Sequence, residues 1–277
     1  MRLPVPTILL TSVVLTACAG AGPGAPSLGY GVPRSSEVIY LVGDTVSIAL
    51  QGLGQGMEIG ARSAATYALR YDRSADGVRV TAAIQSLAAS MVVPMAEAIT
   101  MDESGLEGEF VFELDRMGRA TAMSSPQASQ LGAQVFAAPV VAHALFPRLP
   151  GRAVAIGDSW ADTVTYSEDG ESGVTQVTSN LTYTVVGDAQ TDGRFLSEIT
   201  FEGTAEVTQE LDLEGARINQ ASEVEVDGRF RWDASAGLLY DSEMTMEGEG
   251  SVRIALLPGA ALPTRVRWLT RVSLQSR

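Results

Sequence analysis

The strongest constraint in this chain is an unbroken alternation of apolar and polar residues from Phe195 to Leu211. Phe195, Ile199, Phe201, Ala205 and Val207 fall on one face, and Glu198, Thr200, Glu202, Thr204, Glu206, Thr208 and Glu210 on the other. A period of two held that long means a β-strand with one buried and one wet face. Three further segments repeat it. The apolar sets are Ile218, Val224, Val226, Phe230 and Trp232; then Leu238, Tyr240, Met244, Met246, Val252 and Ile254; then Val266, Trp268, Val272 and Leu274. Each run is about 15 residues, against a usual strand of about 5–6. Strands that long must twist and coil. Gly203, Gly228, Gly248 and Gly250 sit on the inward parity as candidate bends. The predicted fold is mainly β: a long curved antiparallel sheet, a half-barrel or open barrel.

The N-terminal half has the same grammar, with strands predicted over Glu37 to Leu50, Ser63 to Tyr71 and Val78 to Leu87. A hairpin follows around Asp115-Arg116-Met117-Gly118. Gly108-Glu109-Phe110 followed by Asp115 and Gly118 resembles Gly228-Arg229-Phe230 followed by Asp233 and Gly237. That pattern predicts two similar halves, 37–124 and 160–277, in a single domain spanning 37–277. Between them, 125–147 reads as a helix. Ser125 is placed as N-cap and Pro126 as the first helical residue. Leu131, Val135, Ala138, Ala142 and Leu145 recur at helical spacing, and Pro139 should kink or divide the helix. Between Arg119 and Arg148 the only titratable side chain is His143. A helix without charge on any face is covered on most sides, so it is expected on the concave face of the sheet. Its apolar part is too short to span a bilayer.

The first 17 residues belong to a different logic. Arg2, the apolar stretch Ile8 to Leu15 and then Leu15-Thr16-Ala17-Cys18 have the order of a secretory signal. Cysteine in place of the ordinary cleavage site resembles the lipobox of bacterial lipoproteins. The resemblance implies cleavage after 17 and acylation of Cys18, the only cysteine. Acyl chains at ~0.8 kcal/mol per buried CH₂ then anchor the chain stably. Ala at position 19 is similar to the sorting signal for the outer membrane, so a lipid-anchored protein on the periplasmic face of that membrane is expected. Residues 18–36, rich in Gly, Pro, Ala and Ser, read as lipidated Cys plus flexible tether. The net charge is −14 with no lysine, which argues against nucleic acid as a partner and against broad contact with anionic headgroups.

Gly157-Asp158-Ser159-Trp160 invites comparison with a serine-hydrolase motif, but the sole histidine precedes the serine and no charge-relay partner is evident. A turn entering a strand at Trp160 accounts for it better. With Phe146-Pro147-Arg148-Leu149-Pro150, Val154 and Ile156, the stretch resembles a V-x-(I/V)-G-D-S-W signature of uncharacterised bacterial envelope lipoproteins. That family is a domain of unknown function with a layout similar to lipoprotein-carrier half-barrels. The resemblance implies a β-rich envelope protein and transfers no catalytic residue.

No other motif carries chemistry. His143 stands alone and makes no metal site. Glu168-Asp169-Gly170-Glu171 lacks calcium-loop spacing, and Gly52, Gly54 and Gly56 lack the strand-to-helix step of a phosphate loop. Neither catalytic residues, metal nor cofactor are therefore assigned. Arg265, Arg267 and Arg271 share the outward parity of the last strand, and Asp241, Glu243, Glu247 and Glu249 that of the strand before, so the two should be neighbours. Methionines crowd the first half around Ala88 to Ala98, where core filling is the plain account and an adaptable apolar mouth the sharper one. The candidate contacts for an apolar ligand are Met91, Met95, Leu131, Val135, Phe136, Phe201 and Trp232. The expected function is a non-enzymatic envelope lipoprotein binding a lipid or other apolar molecule in a β cup. The alternative is a structural protein with a filled core that docks on another envelope protein. Concave-face filling by Phe110, Phe112, Phe201 and Trp232 would favour that alternative.

Overall fold

A computed structural model describes residues 26–35, 37–51, 57–75, 77–92, 97–128, 138–170, 173–213, 216–254 and 261–276. Fourteen strands are described: β1 (Glu37–Leu50), β2 (Met57–Arg73), β3 (Val78–Val92), β4 (Ile99–Asp102), β5 (Leu106–Glu107), β6 (Phe110–Leu114), β7 (Ala120–Ser124), β8 (Gln127–Ala128), β9 (Ser159–Gly170), β10 (Gly173–Thr191), β11 (Arg194–Leu213), β12 (Ala216–Asp233), β13 (Leu238–Ile254) and β14 (Leu262–Ser276). Among the described residues one α-helix, α1 (Ala138–Leu145), lies between β8 and β9. The main sheet runs β7-β6-β3-β2-β1-β14-β13-β12-β11-β10-β9, with β4 beside β6 on the same edge of β3. Every pairing is antiparallel, and the first and last long strands, β1 and β14, join the two halves. β7 and β9 are the two edges and do not pair with each other. The sheet is thus open and curved, as the alternation predicts, and β10 and β11 reach 19 and 20 residues.

Glycines set the curvature. A Cβ on Gly203 would lie 1.9 Å from the Asn180 carbonyl oxygen, and one on Gly248 2.1 Å from that of Glu223. Only a residue without a side chain lets neighbouring strands approach so closely. Bulges adjust which face each residue takes. Gln85 is the extra residue where Thr66 faces Ser86 and Tyr67 faces Ile84. Inward positions therefore change from Val80 and Ala82 to Leu87, Ala89 and Met91.

Two inward expectations are corrected. Tyr240 was expected among the buried set, but a bulge pairs Trp232 with Leu239 and Arg231 with Asp241. Leu239 turns in, while Tyr240 turns out to lie under the guanidinium groups of Arg231 and Arg194. Phe195, at the β10–β11 hairpin tip, is 73% exposed, and Leu196 takes the buried place.

The chain enters the body earlier than expected. Residues 26–35 are not a free tether: the Leu28 N–H donates to the Arg152 carbonyl, and Ser27 bridges to Ala153. Leu28 is fully buried and the Tyr30 hydroxyl donates to the Pro147 carbonyl at 3.0 Å. Two large apolar groups in a Gly/Pro-rich stretch are enough to pin it. Ser125 and Pro126 do not begin a helix either, because Gln127–Ala128 is extended and pairs with Leu106–Glu107. Pro139 sits in the first turn of α1, where its missing N–H costs nothing, and Pro147 follows its end. The remainder of the expected helix, including Leu131, Val135 and Phe136, lies outside the described residues.

Candidate functional site

The interior divides into a packed floor and an open cup. The floor is at the end carrying the β6–β7, β10–β11 and β12–β13 turns. Two of those turns are built alike: Asp115 Oδ1 accepts the N–H groups of Met117 and Arg119, and Asp233 Oδ1 those of Ser235 and Ala236. Gly118 and Gly237 complete them at positive φ, as the matched Asp and Gly spacing suggests. Above the turns, Tyr30 meets Trp232 edge-on at 4.9 Å between ring centres, and Phe112 meets Phe146 at 5.5 Å. Phe110, Phe112 and Trp232 are fully buried, and Phe201 is 7% exposed, packed against Tyr183 and Phe230. Phe201 and Trp232 are therefore floor residues and line none of the cavities described below.

Helix α1 crosses the concave face above this floor. Ala138, Val141 and Leu145 bury themselves in the core. Its other side bounds a small cavity of about 40 Å³ with Val42, Asp44, Tyr67, Tyr166, Trp268 and Thr270. His143 lines that space. Burial, with a smaller contribution from Arg148, pushes its imidazole down to about 4, so it is neutral at physiological pH.

Asp44 and Trp268 also border a second cavity of about 260 Å³, toward the end where β1 finishes and β2 begins. Its walls are Val46 and Ile48 of β1, Ile59 and Ala61 of β2, Ala89 and Met91 of β3, and Ile99 and Met101 of β4. Gln209 of β11 faces them across the curve of the sheet. Met91 thus lies in this cavity, whereas Met95 lies outside the described residues. Ile48, Ile59 and Ile99 carry the wall that the methionine pattern alone does not reveal. The signal that finds them is inward parity on β1, β2 and β4.

Asp44 marks the boundary between the two spaces. It sits at an inward position of β1, opposite Thr270 and Ser63 on the flanking strands. Its Oδ1 accepts the Thr270 hydroxyl at 2.6 Å and the Trp268 indole N–H at 3.2 Å; Oδ2 accepts the Ser63 hydroxyl at 3.4 Å. A wider depression of about 730 Å³ lies on the outward face near Arg229, Arg231 and Glu243. Four of the charges lining it pair, Arg231 with Asp241 and Arg271 with Glu243. Arg267 pairs with Glu247 in the same ladder at 2.8 Å, so β13 and β14 are the charge-matched neighbours expected.

The Gly157-Asp158-Ser159-Trp160 stretch is a turn entering β9. Gly157 has φ +92 and donates to the Val185 carbonyl; Asp158 Oδ2 accepts the Ala155 N–H and the Arg152 guanidinium. Ser159 shares a hydrogen bond with Thr184, and Trp160 stacks on Tyr183 at 5.4 Å. His143 is not among the contacts of Ser159. The stretch fixes the edge of the sheet against the β10 bulge at Val186.

No family model matches the chain, and no curated protein matches it in sequence. Among solved structures, the β domain of the Bordetella autotransporter BrkA aligns over 88% of this chain and 100% of its own, at 9% identity and TM-score 0.26. Pseudomonas aeruginosa OccK9 (OpdG) aligns over 88% and 100% at 7% identity and TM-score 0.22. A BenF-like porin from Pseudomonas fluorescens Pf-5 aligns over 88% and 100% at 8% identity and TM-score 0.24. These scores lie below those of a shared fold.

Proposed function

We propose that this chain is a non-enzymatic lipoprotein of the cell envelope that holds an apolar ligand in the upper half of its curved sheet. The cavity of about 260 Å³ walled by Val46, Ile48, Ile59, Ala61, Ala89 and Met91 carries this reading. Concave, mostly apolar spaces with a few converging polar groups are the usual form of small-molecule sites. Acylation at Cys18, which lies outside the described residues, would hold the cup at a membrane surface, in keeping with the lipobox resemblance. The test uses delipidated full chain and an uncharged naphthylamine dye that fluoresces in apolar surroundings. Saturable uptake, abolished by Ala61→Trp with the thermal midpoint retained, is the expected result. Absent uptake, or uptake indifferent to Ala61→Trp and Ala89→Trp, would overturn it.

A second reading, a structural body that docks on another envelope protein, draws support from the filled floor of Phe110, Phe112, Phe201 and Trp232. Crosslinking in intact cells that traps one defined partner, together with failure of dye uptake, would favour it over the first.

A further inference from the structure

Asp44 is a half-buried carboxylate at one end of a mostly apolar wall, without a cationic partner. Among the described residues, no arginine forms an ion pair with it. Its partners are two hydroxyls and an indole N–H, all neutral. The other titratable groups around the smaller cavity add no positive charge: His143 is held neutral by burial, Tyr67 is pushed up by burial and by Asp44 itself, and Tyr166 is a phenol, which carries no positive charge in either form. Arg148, the cation whose charge reaches His143, is committed to Asp162. Arg62 borders the larger cavity but lies on the outward parity of β2, opposite exposed Thr45. A carboxylate has about four acceptor sites. Three donors reach Asp44, and the one on Oδ2 is long for an O–H···O bond. Oδ2 therefore retains acceptor capacity at the junction of the two spaces.

We infer that the cavity takes a single-chain amphiphile with an ammonium head group, head against Asp44 and chain along the wall of Val46, Ile48, Ala61 and Met91. The inference rests on the apolar-ligand reading above and adds the head-group chemistry. The ammonium supplies the charge the site lacks, and an N⁺–H···O⁻ bond is roughly twice as strong as a neutral one. An anionic head, such as a fatty acid carboxylate, would meet Asp44 with like charge, and Arg62, the cation bordering the cavity, stands on the outward parity of β2 away from Asp44.

The test is displacement of the same uncharged dye from full chain by dodecylamine, dodecanol and dodecanoate at pH 7.5. Salt at 0.15 M keeps the net negative charge of the protein from acting at long range. The expected result is that dodecylamine binds about ten-fold or more tightly than dodecanoate, a difference of about 1.4 kcal/mol. Asp44→Asn should bring that ratio close to one while leaving dodecanol affinity unchanged. Equal or tighter binding of dodecanoate by the unaltered chain would overturn the head-group assignment and leave the apolar cup standing. So would an unchanged ratio in Asp44→Asn with dodecanol binding intact. Failure of all three ligands to displace the dye would overturn the cup itself. If Asp44→Asn loses dodecanol binding through misfolding, the ratio measured on the unaltered chain decides alone.

Discussion

Arg148 Nε lies 3.1 Å from Asp162 Oδ2, and this contact closes the seam that the backbone leaves open. Asp162 points inward from the edge strand β9, with its side chain 9% exposed, and it also meets Arg119 beside the opposite edge strand β7 at 3.5 Å. The Arg148 guanidinium further donates to the Gly118 carbonyl in the β6–β7 turn. The two sheet edges are thus joined through side chains. Removing Asp162 strands a mostly buried Arg148, and breaking a buried pair costs about 3–5 kcal/mol. Asp162→Ala should therefore lose about 3 kcal/mol in urea unfolding, whereas Arg119→Ala, at a half-exposed side chain, should lose under about 1 kcal/mol. Equal losses for the two would contradict this division of roles.

Glycines separate by what stands over them. Alanine at Gly203 or Gly248 would drive a methyl group into a neighbouring strand's carbonyl, and overpacking of that kind costs about 1–3 kcal/mol. Gly60 has nothing within 4 Å of the added carbon, and alanine in a strand outperforms glycine by about 0.5–1 kcal/mol. Gly203→Ala and Gly248→Ala should lower the unfolding midpoint while Gly60→Ala holds or raises it. A melt series in which all three behave alike would show that close approach does not shape the sheet.

How much of this was readable in the sequence depends on whether a feature obeys a period. The faces of β11 and β12 follow from alternation, and so does the β13–β14 charge ladder, because one parity rule fixes every residue along a strand. Bulges break that rule by a single residue without leaving a compositional mark. That is why Tyr240 turns outward and why Met91 reaches the cavity through the shift at Gln85. Short contacts made by isolated residues are equally silent: Leu28 and Tyr30 sit in a stretch whose composition reads as tether, yet each fills a gap in the floor. Asp44 was invisible for a related reason. In sequence it is one polar residue at an inward position, and only the convergence of Thr270, Trp268 and Ser63 from flanking strands gives it meaning.

His143 predicts a pH dependence with a definite sign. Its folded-state value of about 4 lies below the ordinary histidine value of about 6.5, so the unfolded chain binds the proton more readily. Stability therefore falls as pH drops from about 6.5 to about 4 and is unaffected by this residue above that window. The ceiling on the loss is about 3 kcal/mol. Replacing the ring by His143→Gln should flatten the part of the stability profile between pH 6.5 and 4.5 relative to the unaltered chain. Parallel profiles for the two proteins would mean that the imidazole is protonated inside the fold.

The division into packed floor and open cup makes the last prediction. Phe112 is fully buried, stacked 5.9 Å from Phe110 and edge-on to Phe146. Its removal leaves a void that rigid aromatic neighbours cannot collapse into, a loss of about 3–5 kcal/mol for Phe112→Ala. Ile48 faces the cavity from β1 and is only half-buried. Its side chain already lacks neighbours on one side, so truncation forfeits fewer contacts. Ile48→Ala should cost about 1 kcal/mol, below the usual 2–5 kcal/mol for a buried isoleucine. The same substitution should weaken dye uptake, because it removes wall and not support. An Ile48→Ala loss as large as that of Phe112→Ala would mean that the upper interior is packed as tightly as the floor, and the cup would have no room for a ligand.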